Sequence, residues 1–422
     1  MATTAVYHRE VIKVSPTRQR VMGIIFLALA FITWYFFARV IKPDVITSFG
    51  LNAITEGVLL PEWHILTQTT LYIMAVICAI LGGIQLARGF ERYTNLVLAI
   101  VVAFFVFGFL TWAAAGQSLN LAGLLYDTLS DAVPLVLAAL SGVLSERAGV
   151  VNIAIEGMML AGACSAAFFA SISHSLWIGL VAALISGILL AWIHGFLSIN
   201  YKTNQIVSGT IINIFATGLT SYVSTKFLQV YQNLNDPGIF APIPIPGLVN
   251  IPIFGKILFN NNILVYMMFL ILIVLQVALF NTRWGLRMRA VGEHPKAADT
   301  LGINVIRTRY MAVLLSGAMA GFAGAYFTIG SVGRFDSLMT AGRGFIGLAA
   351  MIFGNWTPVG AFGAGLLFGF ADSLSSKLAI LGINVPSSIL LMIPYIATMI
   401  VLAGVVGRNL APAADGVPYT KE

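Results

Sequence analysis

Thirteen residues of the chain, Ser145-Glu-Arg-Ala-Gly-Val-Val-Asn-Ile-Ala-Ile-Glu-Gly157, hold two carboxylates, a guanidinium and a carboxamide between two long apolar runs. Glu146 and Arg147 fall at the end of one run and suit either a solvated pair or a functional one. Asn152 and Glu156 lie four apart, on one face of a helix. Glu156 enters the next run, where an ionisable group costs roughly 2.5–3.5 kcal/mol and must be paired, protonated or wetted. A structural bond to a neighbouring helix and a place on a wet pathway are both open. Gln205, Ser208 and Asn213 form a comparable polar stripe at helical spacing. It reads as interhelical bonding or as a pore lining.

The composition says what must position these groups. The chain has 422 residues, 59% hydrophobic and 9% charged, where a soluble protein carries about 25% charge. Apolar runs of about 20 residues recur, each long enough for a hydrocarbon core of about 30 Å. Short alternating segments of a membrane barrel are missing. We read an all-α polytopic membrane protein with about 11–12 transmembrane or re-entrant helices. The expected spans are 21–41, 64–87, 94–115, 121–144, 150–172, 176–199, 205–227, 263–281, 310–330, 342–354, 358–377 and 386–406. The run 342–354 is too short to cross alone and reads as a half-helix or re-entrant segment. The first span, with its run of aromatics and no small-residue cleavage site after it, reads as uncleaved. With both termini cytoplasmic, fifteen of the 23 Lys and Arg fall on inner segments and seven on outer ones, with Arg147 at a boundary. That is the positive-inside bias. The net charge of +7 therefore marks loops, not a nucleic-acid site.

Residues 1–120 read as an added three-span module, 121–408 as a core richer in glycine and buried polar residues, and 409–422 as a cytoplasmic tail. The outer loop 228–262 is proline-rich and reads as an extended cover. The inner loop 282–309 holds the densest charge. Within it Pro295 suits the first turn of a helix and Gly302 its exit. The segment Glu293, His294, Pro295, Lys296, Ala297, Ala298, Asp299, Thr300, Leu301, Gly302 is thus a short capped helix outside the membrane. It suits a lever docked on a partner, or an ordinary loop.

Enzymatic chemistry finds no footing. No G-x-x-x-x-G-K-[ST], H-E-x-x-H or G-x-S-x-G motif occurs, and five scattered histidines favour no metal site. Gly342–Gly347 matches G-x-G-x-x-G but lacks the strand and the acidic residue of a dinucleotide site. Helix packing explains it better, as it does the Gly317/Gly321 and Gly365/Gly369 pairs. Cys78 and Cys164 read as small apolar packers.

Four stretches in order, GVLSERAGVVNIAIEGMMLAGA (142–163), NQIVSGTIINIFATGLTSYV (204–223), GLRMRAVGEHPKAADTLGI (285–303) and GRGFIGLAAMIFGNWTPVGAFGAGLLFGFADSL (342–374), resemble permease subunits of bacterial ABC importers of the branched-chain amino acid and ribose group. The nucleoside, or simple-sugar, branch is the nearest in pattern. The resemblance covers about 121–408. It implies a multi-pass permease of the bacterial inner membrane, with no catalytic residue, metal or cofactor of its own. ATP and Mg would sit on a partner tandem-cassette ATPase. It further implies a second related permease in a heterodimer and a basic-membrane-protein-type binding lipoprotein. The 293–302 helix becomes the ATPase-coupling helix, and Asn152 and Glu156 become braces of moving helices. Nucleosides are the first expected substrate and a simple sugar the second. An ion-coupled carrier using Glu156 is the competing class.

Overall fold

The computed structural model describes residues 16–53, 60–382, 392 and 411–421; the expected span 386–406 lies outside them except for residue 392. The protein is mostly helical. Among the described residues ten helices are long and apolar enough to cross a membrane. The chain divides into two compact units, residues 1–121 with 377–384, and residues 122–376 with 385–422.

The first unit holds α1 (Pro16–Ile32), α2 (Thr67–Ala87) and α3 (Thr94–Ala113). These are almost wholly apolar, and α1 packs on α2 through Gly23 and Gly82. A small sheet joins their ends: β1 (Ile46–Gly50) pairs antiparallel with β2 (Trp63–Leu66) and parallel with β3 (Ser118–Asn120). Alternating apolar residues in these short segments satisfy their backbone in strands, a feature an all-helical expectation lacked.

The second unit begins with α4 (Leu121–Glu146), α5 (Ile155–Ser173), α6 (Leu176–Gly195) and α7 (Gln205–Val223). After α7 the loop expected to be wholly extended contains β4 (Pro242–Pro244), a single helical turn and a half α8 (Phe254–Phe259), and β5 (Asn260–Asn262), which pairs antiparallel with β4. The prolines cluster before Phe254, which leaves 254–259 free to coil. Next come α9 (Ile263–Asn281), α10 (Arg283–Glu293), α11 (Pro295–Thr300) and α12 (Val305–Ala325), which widens into π-type turns over Tyr326–Val332. Last come α13 (Arg343–Phe353) and α14 (Pro358–Ile380). At eleven residues α13 is only about 16 Å long, and it packs by Gly347 against Ala138 of α4.

Lipid tails offer no hydrophobic drive between helices, so close van der Waals approach must hold the bundle. Helix α6 makes such an approach on α12. A Cβ on Gly187 would stand 2.1 Å from the Gly317 carbonyl oxygen, and one on Gly321 2.2 Å from that of Ala183. The Gly365/Gly369 pair does the same for α14 on α4, against Val136 and Thr128. Both G-x-x-x-G pairs are contact surfaces. Gly321→Ala is expected to cost about 1–3 kcal/mol in detergent unfolding. Gly363→Ala, where an added Cβ meets nothing within 4 Å, is expected to cost nothing.

Candidate functional site

The chain leaves helical geometry between α4 and α5, and the opening stretch lies there. Its polar groups answer one another across the bundle. Glu146 is 5% exposed and accepts from Trp356 Nε1 at 2.6 Å. Arg147 donates to the carbonyls of Trp356 and Asn355 at 2.8 and 3.2 Å. The two are anchors for the α13–α14 turn, and not a solvated pair. Asn152 is fully buried. Its Nδ2 donates to Ser316 Oγ at 2.9 Å, its Oδ1 accepts from Ala154 N, and Ser316 meets Ser141 Oγ at 2.9 Å. Asn152 thus ties α4 and α12 to the corner.

Glu156 accepts from Thr340 Oγ1 at 2.7 Å and from the backbone N–H of Gly342 and Gly344 at 2.8 and 2.6 Å. The unsatisfied N–H groups at a helix start carry partial positive charge, so a carboxylate there fixes the start of α13. Gly344 must be glycine for this, since a Cβ would come 2.6 Å from Glu156 Cα.

The stripe on α7 clips onto the same corner. Gln205 Oε1 accepts from Val151 N at 2.7 Å. Asn213 accepts from Gly157 N and donates to Ile153 O, at 2.8 and 2.9 Å. Ser208 meets His194 Nδ1 at 3.2 Å, while His194 Nε2 lies 2.9 Å from the Val151 carbonyl. A carbonyl only accepts, so Nε2 carries the proton and Ser208 donates to Nδ1. His194 belongs to this network, although its isolated position in the sequence did not single it out.

At one end of the second unit stands the capped helix. Pro295 opens α11, His294 Nδ1 caps it by accepting from Ala297 N at 3.4 Å, and Gly302 leaves it at φ +78°. The preceding helix α10 was not expected. Its amphipathic pattern is hidden under four charged residues, and it supports α11. Ala298 faces inward against Val291 and Val305, whereas Leu301 is 81% exposed. The opening stretch reaches this assembly directly: a Cβ on Gly292 would come 2.2 Å from the Arg147 carbonyl oxygen.

The tail 411–421 docks at the same place. Ala414 N donates to Gly292 O at 2.9 Å, Ala413 N to Glu293 Oε2 at 3.2 Å, and Arg309 Nη1 to Val417 O at 2.9 Å. Tyr419 packs on the Val291–Ala298–Val305 cluster. Burial pushes the Asp415 carboxyl up to about 6, with Glu146, the Gly416 N–H and Arg309 restraining the rise.

At the opposite end of the unit lies a polar cavity of about 460 Å³ between α4, α9, the widened end of α12 and α14. Tyr126, Asp127, Ser130, Asp131, Asn262 and Tyr326 are among its walls. Asn152, Glu156, Gln205, Ser208 and Asn213 do not line it. The cavity was missed in the sequence, although Asp127 and Asp131, four apart in an apolar run, obey the rule that singled out Glu156.

A family model described as branched-chain amino acid transport system / permease component matches residues 124–407. The chain belongs to that family. It is a multi-pass membrane permease component, with the ATPase on another subunit. It is 42% identical over 306 residues to the guanosine ABC transporter permease protein NupQ of Bacillus subtilis (strain 168), covering 70% of this chain and 95% of that one. It is likewise 42% identical over 308 residues to the nucleoside ABC transporter permease protein NupC of Lactococcus lactis subsp. cremoris (strain MG1363), covering 71% and 95%. A second guanosine permease protein of the same Bacillus strain, NupP, is 28% identical over 258 residues, 58% of this chain and 67% of that one. No solved structure matches significantly.

Two measurements test the network. Glu156→Gln places an NH2 group against N–H donors. The Gly342 and Gly344 amides should then exchange at least about tenfold faster, since hydrogen bonds to a charged group contribute about 1.5–3 kcal/mol. For the tail, an acid whose folded pKa is raised favours the docked state below its unfolded value and loses that contribution as pH rises through about 6. Between pH 5 and 7.5 the Ala413 and Ala414 amides, corrected for intrinsic rate, should lose protection by about tenfold. In Asp415→Asn the loss should vanish.

Proposed function

We propose that the chain is one of two related permease subunits of an ATP-driven nucleoside importer in a bacterial cytoplasmic membrane. Its two guanosine and nucleoside permease relatives at 42% identity over about 70% of the chain support the substrate class. The two distinct guanosine permease proteins of one Bacillus strain, at 42% and 28% identity to this chain, support a heterodimer. The observation that carries the coupling role is α11 itself. It presents Lys296, Ala297, Thr300 and Leu301 to solvent while its base is wired through Gly292 to the Arg147 corner. A mobile loop needs no cap at each end. A lever that must transmit a push does, because slack in its own turns would absorb the motion.

In this reading residues 293–302 dock into a tandem-cassette ATPase, which holds the ATP and Mg. Both termini face the cytoplasm, so the polar cavity opens in the outer half. A basic-membrane-protein-type lipoprotein delivers substrate across the cover 228–262. Nucleotide drives the cycle only by binding one state better than the other. Asn152 and Glu156 brace α12 and α13 against the corner and do not touch substrate. Residues 1–120 form a membrane module added to the permease core of about 121–408, with 409–422 as its tail. The ion-coupled alternative loses its coupling carboxylate, because three donors hold Glu156.

The test replaces exposed groups of α11 and its exit. Ala298 is turned inward, so a large residue there probes packing. Ala297→Arg and Leu301→Asp change only the docking face. Each should cut nucleoside uptake about tenfold or more, with unfolding temperature unchanged and recovery of the ATPase reduced in a mild-detergent pull-down. Normal uptake by both would sink the coupling assignment. Uptake that follows an ion gradient and ignores ATP would replace the importer by a carrier.

A further inference from the structure

Helix α7 is exposed like a lipid-facing span but is not composed like one. Among the described residues five spans bury only 33% of their most apolar stretch. Four of them have a mean hydropathy of 2.1 to 2.9, whereas the span Gln205–Leu228 has 1.4. Gln205, Ser208 and Asn213 account for part of the deficit and are turned inward. Another part lies on the opposite side, where Thr210, Thr217 and Ser221 share a stripe with Ile214 at helical spacing. Thr210 is exposed and the other two are half-buried. A threonine can hide its hydroxyl by bonding its own helix, as Thr210 does to Ile206 O at 2.9 Å. The stripe alone would therefore not exclude lipid.

The backbone beside it does. Phe335 is pinned by Asn235, which accepts from its N–H at 2.7 Å and donates to its carbonyl at 2.9 Å. Ser337 Oγ meets Ser221 Oγ at 3.1 Å. Thr340, Gly342 and Gly344 then hold Glu156, whose neighbour Gly157 is bonded to Asn213. From Ser221 back to Asn213 is about 12 Å along α7. Residues 337–342 therefore run down the half of a span that ends at Val223, and they do so in turns, without helix or strand. Leu338 and Ala341 are left-handed at φ +60° and +48°, a strained conformation that collects at functional sites. Ser337, Leu338 and Ala341 are exposed. Irregular backbone at membrane depth is tolerated only where it is buried in protein or lines a water-filled cavity. This stretch thus faces water or another protein chain. Interface cores are poor in charge, and two ion pairs flank the stretch, one of them 64% and 54% exposed. Water is the better fit.

We propose that the seam between α7 and residues 337–342 is a wall of the water-filled pathway that substrate follows through the membrane. The solute it suits is polar and uncharged. The wall offers the hydroxyls of Thr210, Thr217, Ser221 and Ser337, and its fixed charges cancel in pairs: Arg334 lies 3.0 Å from Asp336 and Arg343 3.7 Å from Asp372. Passage requires binding weak enough to leave, which scattered hydroxyls provide. This rests on the nucleoside-importer reading, in which the solute is a nucleoside and the second permease closes the far side.

The experiment uses the complete transporter in proteoliposomes, with its ATPase, second permease and binding protein. Thr217→Cys and Ser337→Cys are compared with Ile273→Cys on α9, where the native side chain is 62% exposed on a wholly apolar span. The native Cys78 and Cys164 are buried and set the background. A charged, membrane-impermeant methanethiosulfonate is added in the nucleotide-free and the vanadate-trapped states. The thiolate is the reacting species and apolar surroundings suppress it, so both seam variants should react at least about tenfold faster than Ile273→Cys in one of the two states. Guanosine should slow that reaction. Labelled Thr217→Cys should lose guanosine uptake, while treated Ile273→Cys keeps it. Thr210→Cys takes the place of either seam variant that fails to assemble. Reaction with a membrane-soluble maleimide alone, as at Ile273→Cys, overturns the wall, because the seam then faces lipid. Protection from both reagents in both states overturns it too, because protein then covers the seam. A wild-type complex that imports another uncharged solute and no nucleoside, with labelling slowed by that solute, keeps the wall and overturns the nucleoside reading.

Discussion

The corner between α4 and α5 is where a chain in hydrocarbon can least afford to leave a helix. From Ala148 to Ala154 the backbone makes few helical bonds of its own, and no lipid can satisfy it. Six side chains from elsewhere do so or lock the turn: Gln205, Ser208, Asn213, His194, Ser316 and Trp356. That requirement explains why polar residues persist on three different helices, α6, α7 and α12, of an apolar chain. Remove the corner, and Gln205 and Asn213 of α7 and His194 of α6 lose their partners together.

The same corner makes α13 possible. A helix of eleven residues with its start inside the bundle exposes N–H groups that nothing in lipid accepts. Glu156 supplies two oxygens to three donors there, and Arg147 takes carbonyls from the turn after its other end. The short helix is held at both ends by residues nine apart in sequence. A carboxylate facing backbone donors is stabilised where it stands and has no need of a cation from solution. The price of burying Glu156 is met by the start of α13.

Legibility in the sequence followed locality. The ten long helices were readable because hydrophobic runs report themselves. Helix α11 was readable from Pro295 and Gly302, whose backbone preferences are their own. Glu156 was conspicuous as a charge in an apolar run, but its partners lie 184 to 188 residues away and leave no local trace. The tail escaped for a related reason: Ala413, Ala414 and Val417 dock largely through backbone atoms, which every residue possesses. Asp127 and Asp131 were as visible as Glu156. They were passed over because the run around them was weighed as a span, while their partners in the wall come from α9, α12 and α14.

Two helices run the whole distance between the two ends of the second unit. Helix α12 begins at Asn304, which caps it just past α11, meets Asn152 through Ser316, and opens into the cavity wall from Tyr326. Those steps are about 18 and about 15 Å along the axis. Helix α4 lines the cavity with Asp127 and Asp131, meets Ser316 through Ser141, and ends at Glu146 beside the tail. Both helices are among the most buried of the long ones and are locked to each other at mid-length by the serine pair. A close-packed interior does not compress, so a displacement of α11 cannot be absorbed between the corner and the cavity. It must appear either as a shift of α4 and α12 together or as slip at Ser141–Ser316. The serine hydroxyls can exchange partners with each other and with the Ser316 carbonyl without leaving a polar group bare.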